Sequence, residues 1–140
     1  MIAILPILFP VRILITEPKR VIASHLTKLL RGWGHEVIYC GHDGGKLLAQ
    51  VAHHPPDLIL TGFHLQGSMN SFEMLSRLWA RWDIPVVLLS GAVPIDLPPA
   101  WQQQASLFFL AKPFLPYQLH LVIEEVKARA HENRGHGPTR

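Results

Sequence analysis

Five short apolar runs constrain the fold more than any other feature of this 140-residue chain. They occupy residues 11–16, 35–40, 57–61, 84–90 and 106–110. Most of them lack the alternation of apolar and polar residues that marks a half-exposed strand, so they predict strands buried on both faces. The second run alternates loosely between glycines, which suits a strand nearer the edge of a sheet.

Segments with the period of an amphipathic helix separate the apolar runs. In the first of them the inner face is formed by Ile22, Leu26, Leu29, Leu30 and Trp33. Asn70 or Ser71 is expected to cap the third helix, because both side chains can accept a hydrogen bond from a free backbone N–H. The fourth segment, residues 91–104, is the least regular, and only a short helix beginning near Pro98 is expected there.

Strands that alternate with helices in this way predict an α/β domain whose parallel sheet is covered on both faces. Right-handed crossover connections leave few topologies for such a domain. We therefore predict a doubly wound, five-stranded parallel sheet with strand order 2-1-3-4-5.

Length, charge and cysteine content narrow the class of protein further. A hydrophobic content of 49% in 140 residues is enough for the core of one domain. The net charge of +3 weakly favours an anionic partner, but no window concentrates the like charges of a nucleic-acid-binding arm, so nucleic acid is not the expected partner. Cys40 is the only cysteine, which excludes an internal disulfide and makes the cytoplasm the expected location.

The distribution of apolar runs, helical segments and charges divides the chain into three parts. Residues 11–130 are predicted to form the domain, and residues 131–140 a flexible basic tail. Residues 1–10 form an apolar extension that is too short to span a bilayer and has no basic leader. We expect this extension to pack on the domain or to contact a partner, and we expect no association with a membrane.

Four residues are predicted to meet at one edge of the sheet. Ligands of doubly wound sheets bind beyond the carboxyl ends of the strands. Glu17, Gly62, Ser90 and Lys112 stand at the ends of the first, third, fourth and fifth predicted strands. They should therefore surround one crevice.

These positions, and the short motifs around them, resemble those of the receiver domains of bacterial response regulators. The resemblance covers roughly residues 12–126, and its motifs lie at 34–37, 56–60, 85–90 and 110–114. It implies a fold of the chemotaxis-receiver type and a role in two-component, or phosphorelay, signal transduction. It also implies a signalling module and not an enzyme.

The resemblance implies a phosphorylation site that this chain has lost. Receivers accept a phosphoryl group on an aspartate, and an acidic pair after the first strand helps this aspartate to bind Mg²⁺. Glu17 matches the first acid of the pair, whereas Pro18 replaces the second and Gly62 replaces the acceptor. Thr61 cannot substitute for the acceptor, because neighbouring strand residues point to opposite faces. We therefore predict a pseudo-receiver that is not phosphorylated on aspartate, that binds Mg²⁺ weakly or not at all, and that needs no cofactor.

Three positions of the family motif remain occupied as the resemblance implies. Ser90 matches the hydroxyl that contacts the phosphoryl group, and Lys112 matches the lysine that pairs with it. They either retain an anion-sensing pair or, as we prefer, Lys112 pairs with Glu17 while Ser90 only ends a strand. Phe109 matches the switch aromatic of the family, or it is simply a packed ring. The bond from Lys112 to Pro113 matches a junction that is usually cis in receivers.

Trp101 and the histidines are two further candidates for functional sites. Trp101 lies in the irregular fourth segment and, if exposed, would anchor a homodimer or an output protein; burial is equally compatible with the sequence. The nine histidines are scattered, and none completes a metal site at a familiar spacing. We therefore expect no bound metal.

The leading hypothesis is a signalling module that acts through protein contacts with a histidine kinase, a phosphotransfer protein or an output protein. One alternative is a regulator that binds a small anion or metabolite between Glu17, Ser90 and Lys112. Another alternative is a conventional receiver that still accepts a phosphoryl group.

Overall fold

The computed structural model describes residues 10–63, 69–91 and 99–135. Within them, strands and helices alternate throughout, and all five strands are parallel in the order β2-β1-β3-β4-β5. The predicted topology is therefore confirmed. The elements are β1 Arg12–Thr16, α1 Arg20–Gly32, β2 Glu36–Gly41, α2 Gly44–His53, β3 Leu58–Gly62, α3 Ser71–Arg81, β4 Val86–Ser90, α4 Pro99–Gln102, β5 Leu107–Ala111 and α5 Pro116–Gly135.

The sheet separates two hydrophobic layers, because successive residues of a strand point to opposite faces. Ile13 and Leu60 belong to the layer that also contains the inner faces of α1 and α5. Leu14 and Ile59 belong to the layer that contains the inner faces of α2 and α3. The central strand β3 is buried along its whole length, which explains its unbroken apolar pattern.

Side-chain caps fix the starts of two helices. The Asp43 carboxylate accepts hydrogen bonds from the backbone N–H groups of Gly45 and Lys46, at 2.8 and 3.1 Å, and so begins α2. The Asn70 side chain accepts one from Glu73 N–H at 2.8 Å and begins α3, which confirms the predicted cap. The two capped helices follow strands along the chain, α2 after β2 and α3 after β3.

Trp101 is not the exposed interface anchor that the sequence allowed. Its side chain is buried, with 8% of the residue exposed, and its ring stacks on Phe72 with the centroids 5.0 Å apart. It also meets the Trp79 ring edge-on at 5.6 Å. Because burying a large aromatic ring against other rings is strongly favourable, Trp101 stabilises the layer beside α3, and the interface role predicted for it is wrong.

The ends of the predicted domain differ in how far the structure describes them. Helix α5 continues to Gly135, so the boundary expected at residue 130 falls inside this helix. Residues 1–9 of the apolar extension and residues 136–140 of the tail lie outside the described residues. Among the helices of the described part, none is long and apolar enough to cross a membrane.

Candidate functional site

The carboxyl ends of four neighbouring strands bring the predicted site together. Glu17 follows β1, Gly62 ends β3, Ser90 ends β4 and Lys112 follows β5. Backbone hydrogen bonds continue the ladder beyond the strands: Lys112 N–H donates to Ser90 C=O and Glu17 N–H donates to Gly41 C=O, both at 2.8 Å. The backbones of Glu17 and Lys112 are therefore fixed to the ends of neighbouring strands.

A buried ion pair occupies the centre of this site. The Lys112 ammonium donates to both carboxylate oxygens of Glu17, each at 2.9 Å. The Glu17 side chain is fully buried and the Lys112 side chain is 20% exposed. The pairing preferred from the sequence is confirmed. Lys19 N–H adds a longer hydrogen bond to the same carboxylate, at 3.3 Å.

The space beside Gly62 is filled by neighbouring side chains. A Cβ atom built on Gly62 would lie 2.9 Å from Glu17 Oε2 and 3.0 Å from Pro18 Cδ. Gly62 is not in the left-handed backbone region, since Gly34 is the positive-φ glycine of the described residues. Glycine is therefore needed at this position for space and not for backbone freedom. Glu17 and Pro18 therefore lie where a side chain at position 62 would begin, which counts against the alternative of a pocket open to a small anion.

Thr61 lies on the other face of the strand, as expected from the alternation of strand residues. Its hydroxyl accepts a hydrogen bond from the Thr16 hydroxyl at 2.9 Å and donates to Gly62 C=O at 3.1 Å. Both threonines are fully buried. The Thr61 hydroxyl is thus committed to a buried contact and does not replace the missing acceptor.

The aromatic residue matched to the family switch is turned towards solvent. Phe109 is 39% exposed, whereas its neighbour Phe108 is 6% exposed and lies under the Arg129 guanidinium at 4.8 Å. The alternative of a fully packed Phe109 is therefore wrong. A switching movement of the Phe109 ring stays a prediction. The bond from Lys112 to Pro113 is cis, as the resemblance implied.

The donor set of the site does not fit a magnesium ion. Mg²⁺ requires about six oxygen ligands in near-octahedral geometry. Glu17 is the carboxylate of this site, and both of its oxygens already accept hydrogen bonds from Lys112. In the described ranges, no three histidine, cysteine, aspartate or glutamate side chains are grouped so that they could hold a metal ion.

Replacing Gly62 with alanine is expected to cost about 1–3 kcal/mol of folding stability, because the new methyl group overpacks the site and pushes Glu17 away from Lys112. Gly32→Ala is the matched control, since a Cβ atom there would meet nothing within 4 Å. In a Glu17→Ala background the cost of Gly62→Ala should fall to less than half. Urea denaturation of the variants measures this coupling, and a Gly62→Ala variant as stable as Gly32→Ala would show that Glu17 does not fill the space.

Comparisons with known proteins agree with this architecture. The model of the family described as "Response regulator receiver domain" matches residues 13–124. The DNA-binding response regulator MtrA of Mycobacterium tuberculosis H37Rv is 32% identical over 123 residues, which cover 87% of this chain and 51% of MtrA. The chain thus spans about half the length of this curated relative.

Two solved structures share the fold. NtrX from Brucella abortus superimposes with a TM-score of 0.80 at 24% identity, covering 94% of this chain and 30% of NtrX. The receiver domain of a modulated diguanylate cyclase from Desulfovibrio desulfuricans G20 gives a TM-score of 0.75 at 22% identity, covering 89% of this chain and 99% of that one. The family model covers most of the strand and helix order described above, including all four strand ends of the site. The chain belongs to the family of response regulator receiver domains.

Proposed function

We propose that this receiver domain is a pseudo-receiver, a cytoplasmic signalling module that acts through protein contacts without accepting a phosphoryl group. One observation carries the proposal: the Glu17 carboxylate, paired with Lys112, fills the space beside Gly62 where an acceptor side chain would lie. The direct test is phosphoryl uptake from a small donor, which should be absent in the native chain.

Two features of the site oppose phosphorylation. No carboxylate projects from position 62, so the nucleophile of the family reaction is missing. The remaining carboxylate, on Glu17, has no exposed side-chain surface and is neutralised by Lys112. A buried, paired carboxylate is a poor nucleophile, because attack on a phosphodonor would require it to leave both its cation and its packing.

The same ion pair argues against the anion-binding alternative. An incoming phosphate or acidic metabolite would have to displace Glu17 from Lys112, and would leave that carboxylate buried without its cation. The ion pair instead stabilises one fixed arrangement of the β1 and β5 ends. The fixed arrangement supports a module that offers the same surface to its partner at all times.

The exposed face of α1 indicates the chemistry of that partner. Helix α1 contains no acidic residue, and in the described part of the chain its cations Arg20, Lys28 and Arg31 form no ion pair with a carboxylate. By contrast, Arg77 of α3 and Arg129 of α5 each pair with a glutamate of their own helix. We propose that α1 contacts an acidic surface of a histidine kinase, a phosphotransfer protein or an output protein.

Two further features support α1 as a contact surface. Arg20 lies at the amino end of the helix, where the helix dipole disfavours a cation, so its position does not serve the stability of α1. The next residue, Val21, is 83% exposed. An exposed apolar side chain among unpaired cations favours a protein partner over a bare phosphate backbone, because phosphates gain little from apolar contact.

Charge reversal on α1 is expected to weaken partner binding by about fivefold, the effect of losing roughly 1 kcal/mol of electrostatic complementarity. The variant is Lys28→Glu, and its matched control is Lys46→Glu, since both lysines are exposed on helices. Each protein serves as bait in a lysate of its source, and the recovered amount of each captured protein is compared. Equal loss of a partner from both variants would show that α1 has no special role.

A further inference from the structure

A buried imidazole lies far from the candidate site, at the amino end of the sheet. His35 is 4% exposed and directly precedes β2. Its Nδ1 atom accepts a hydrogen bond from Val11 N–H at 3.0 Å. Because Nδ1 accepts, the neutral ring carries its proton on Nε2, and that atom is buried without a hydrogen-bond partner in the described part of the chain.

Hydrogen bonds of the His35 ring and of the backbone around it connect the starts of β1 and β2 with the end of α1. Val11 leads into β1, and its C=O accepts a hydrogen bond from Glu36 N–H at 3.0 Å. His35 N–H donates to Leu30 C=O of α1, also at 3.0 Å. The side chain of His35 additionally lies within electrostatic reach of α5, through His120, Glu124 and Lys127. The start of β1 is thus tied to its neighbours partly through one imidazole nitrogen.

The surroundings of the ring oppose a second proton. Burial lowers the pKa of His35 below the usual 6.5, and the positive charge of Lys127 lowers it further. His120 acts in the same direction, whereas Glu124 opposes them. His120 Nδ1 is also buried and unpartnered among the described residues, and its ring meets Trp33 edge-on at 5.5 Å.

The other charged groups near this point form contacts of their own, and the Asp57 carboxylate accepts a hydrogen bond from Arg12 N–H at 2.8 Å. Lys127 and Glu124 form an ion pair at 3.3 Å, and Arg12 of β1 lies 3.9 Å from Glu36 of β2. The Arg31 guanidinium of α1 donates to Val37 C=O at 3.4 Å. Among these described contacts, none supplies a carboxylate hydrogen bond to stabilise a charged His35.

We propose that His35 is an acid-sensitive latch that holds the start of β1 against the start of β2 only while its ring is neutral. A doubly protonated imidazole carries a hydrogen on Nδ1, so it cannot accept the Val11 N–H and repels it instead. The buried ring also gains a positive charge beside Lys127. Acidification therefore opens this edge of the domain while leaving the Glu17–Lys112 site in place.

The direction of the pH effect follows from proton linkage. The unfolded chain binds a proton on His35 more readily than the folded chain does, because the folded pKa is lowered. The stability contributed by the neutral ring is therefore present above the usual pKa of 6.5. It is lost as the pH falls from that value through the lowered folded pKa.

Nitrogen-15 NMR of the full chain, titrated from about pH 7.5 to about pH 5, tests the latch in the range where histidines change charge. The protection of the Val11 amide against hydrogen exchange should fall by about tenfold or more as the His35 ring titrates, since a hydrogen bond is lost and a buried charge appears. Amides of β3 and β4 should keep their protection.

Two variants make the result decisive. His35→Asn places an amide oxygen near the position of Nδ1 and does not titrate in this range, so Val11 protection should become independent of pH. His54→Asn, at an exposed histidine, should respond like the native chain. The proposal is overturned if Val11 protection stays constant while His35 titrates, if His35 titrates only on global unfolding, or if His35→Asn leaves the pH response unchanged.

Discussion

Replacing Lys112 with methionine is expected to lower the free energy of unfolding by about 3–5 kcal/mol, the usual cost of removing one partner from a buried ion pair. The physical reason is the asymmetry of the pair: the Glu17 carboxylate is fully buried and loses its cation, whereas methionine preserves most of the packing of the lysine stem. Urea denaturation monitored by tryptophan fluorescence, to which the buried Trp33 and Trp101 contribute, measures the change.

Two companion variants identify the cause of this loss. Glu17→Gln should cost clearly less than Lys112→Met, because the Lys112 side chain is 20% exposed and can turn its ammonium to water. Combining both substitutions should recover part of the loss, since no charge then remains buried. A Lys112→Met variant that loses no more stability than Lys46→Met, at an exposed position, would contradict the buried pair.

The second large effect is expected to be a gain of phosphoryl uptake. The double substitution Pro18→Asp and Gly62→Asp should convert the domain from one that takes up no phosphoryl group into one that does. It restores the nucleophile at position 62 and a second carboxylate beside Glu17, and these oxygens can bind the Mg²⁺ that shields the transferred group. Removing Pro18 also removes the ring that lies 3.0 Å from a Cβ atom at position 62.

Matched variants distinguish the effect of the new carboxylate from the effect of the changed side-chain volume. Pro18→Asp with Gly62→Asn has nearly the same volume but no carboxylate at position 62, and it should remain unmodified. Gly62→Asp alone keeps the Pro18 contact and should take up less than the double variant. Intact-mass spectrometry after incubation with acetyl phosphate and Mg²⁺ measures uptake, and an unmodified double variant that is correctly folded would show that more than the carboxylates has been lost.

The fold could be predicted from the sequence because the periods of strands and helices depend on the spacing of nearby residues. The apolar run that ends at Gly62 and the cap at Asn70 are local features, and the structure contains the corresponding strand and helix. The pairing of Glu17 with Lys112 was also predictable, because the topology brings the ends of β1 and β5 to one edge and these positions supply the opposite charges.

Features that depend on side-chain packing were not predictable in the same way. That Glu17 and Pro18 fill the space beside Gly62 depends on distances of about 3 Å between residues that are far apart in sequence. The missing aspartate indicated only that no acceptor side chain stands at position 62, and it did not indicate which neighbours lie there. The burial of Trp101 depends on Phe72 and Trp79 of another helix, and the exposure of Phe109 depends on what covers β5. No periodicity in the sequence reports these contacts.

The most direct test of the pseudo-receiver is the intact mass of the native chain after incubation with acetyl phosphate and Mg²⁺. The closed Glu17–Lys112 pair beside Gly62 predicts a mass that does not change, under conditions in which the double variant with Pro18→Asp and Gly62→Asp gains a phosphoryl group. A phosphoryl adduct on the native chain that hydroxylamine removes, as it removes acyl phosphates, would contradict the account.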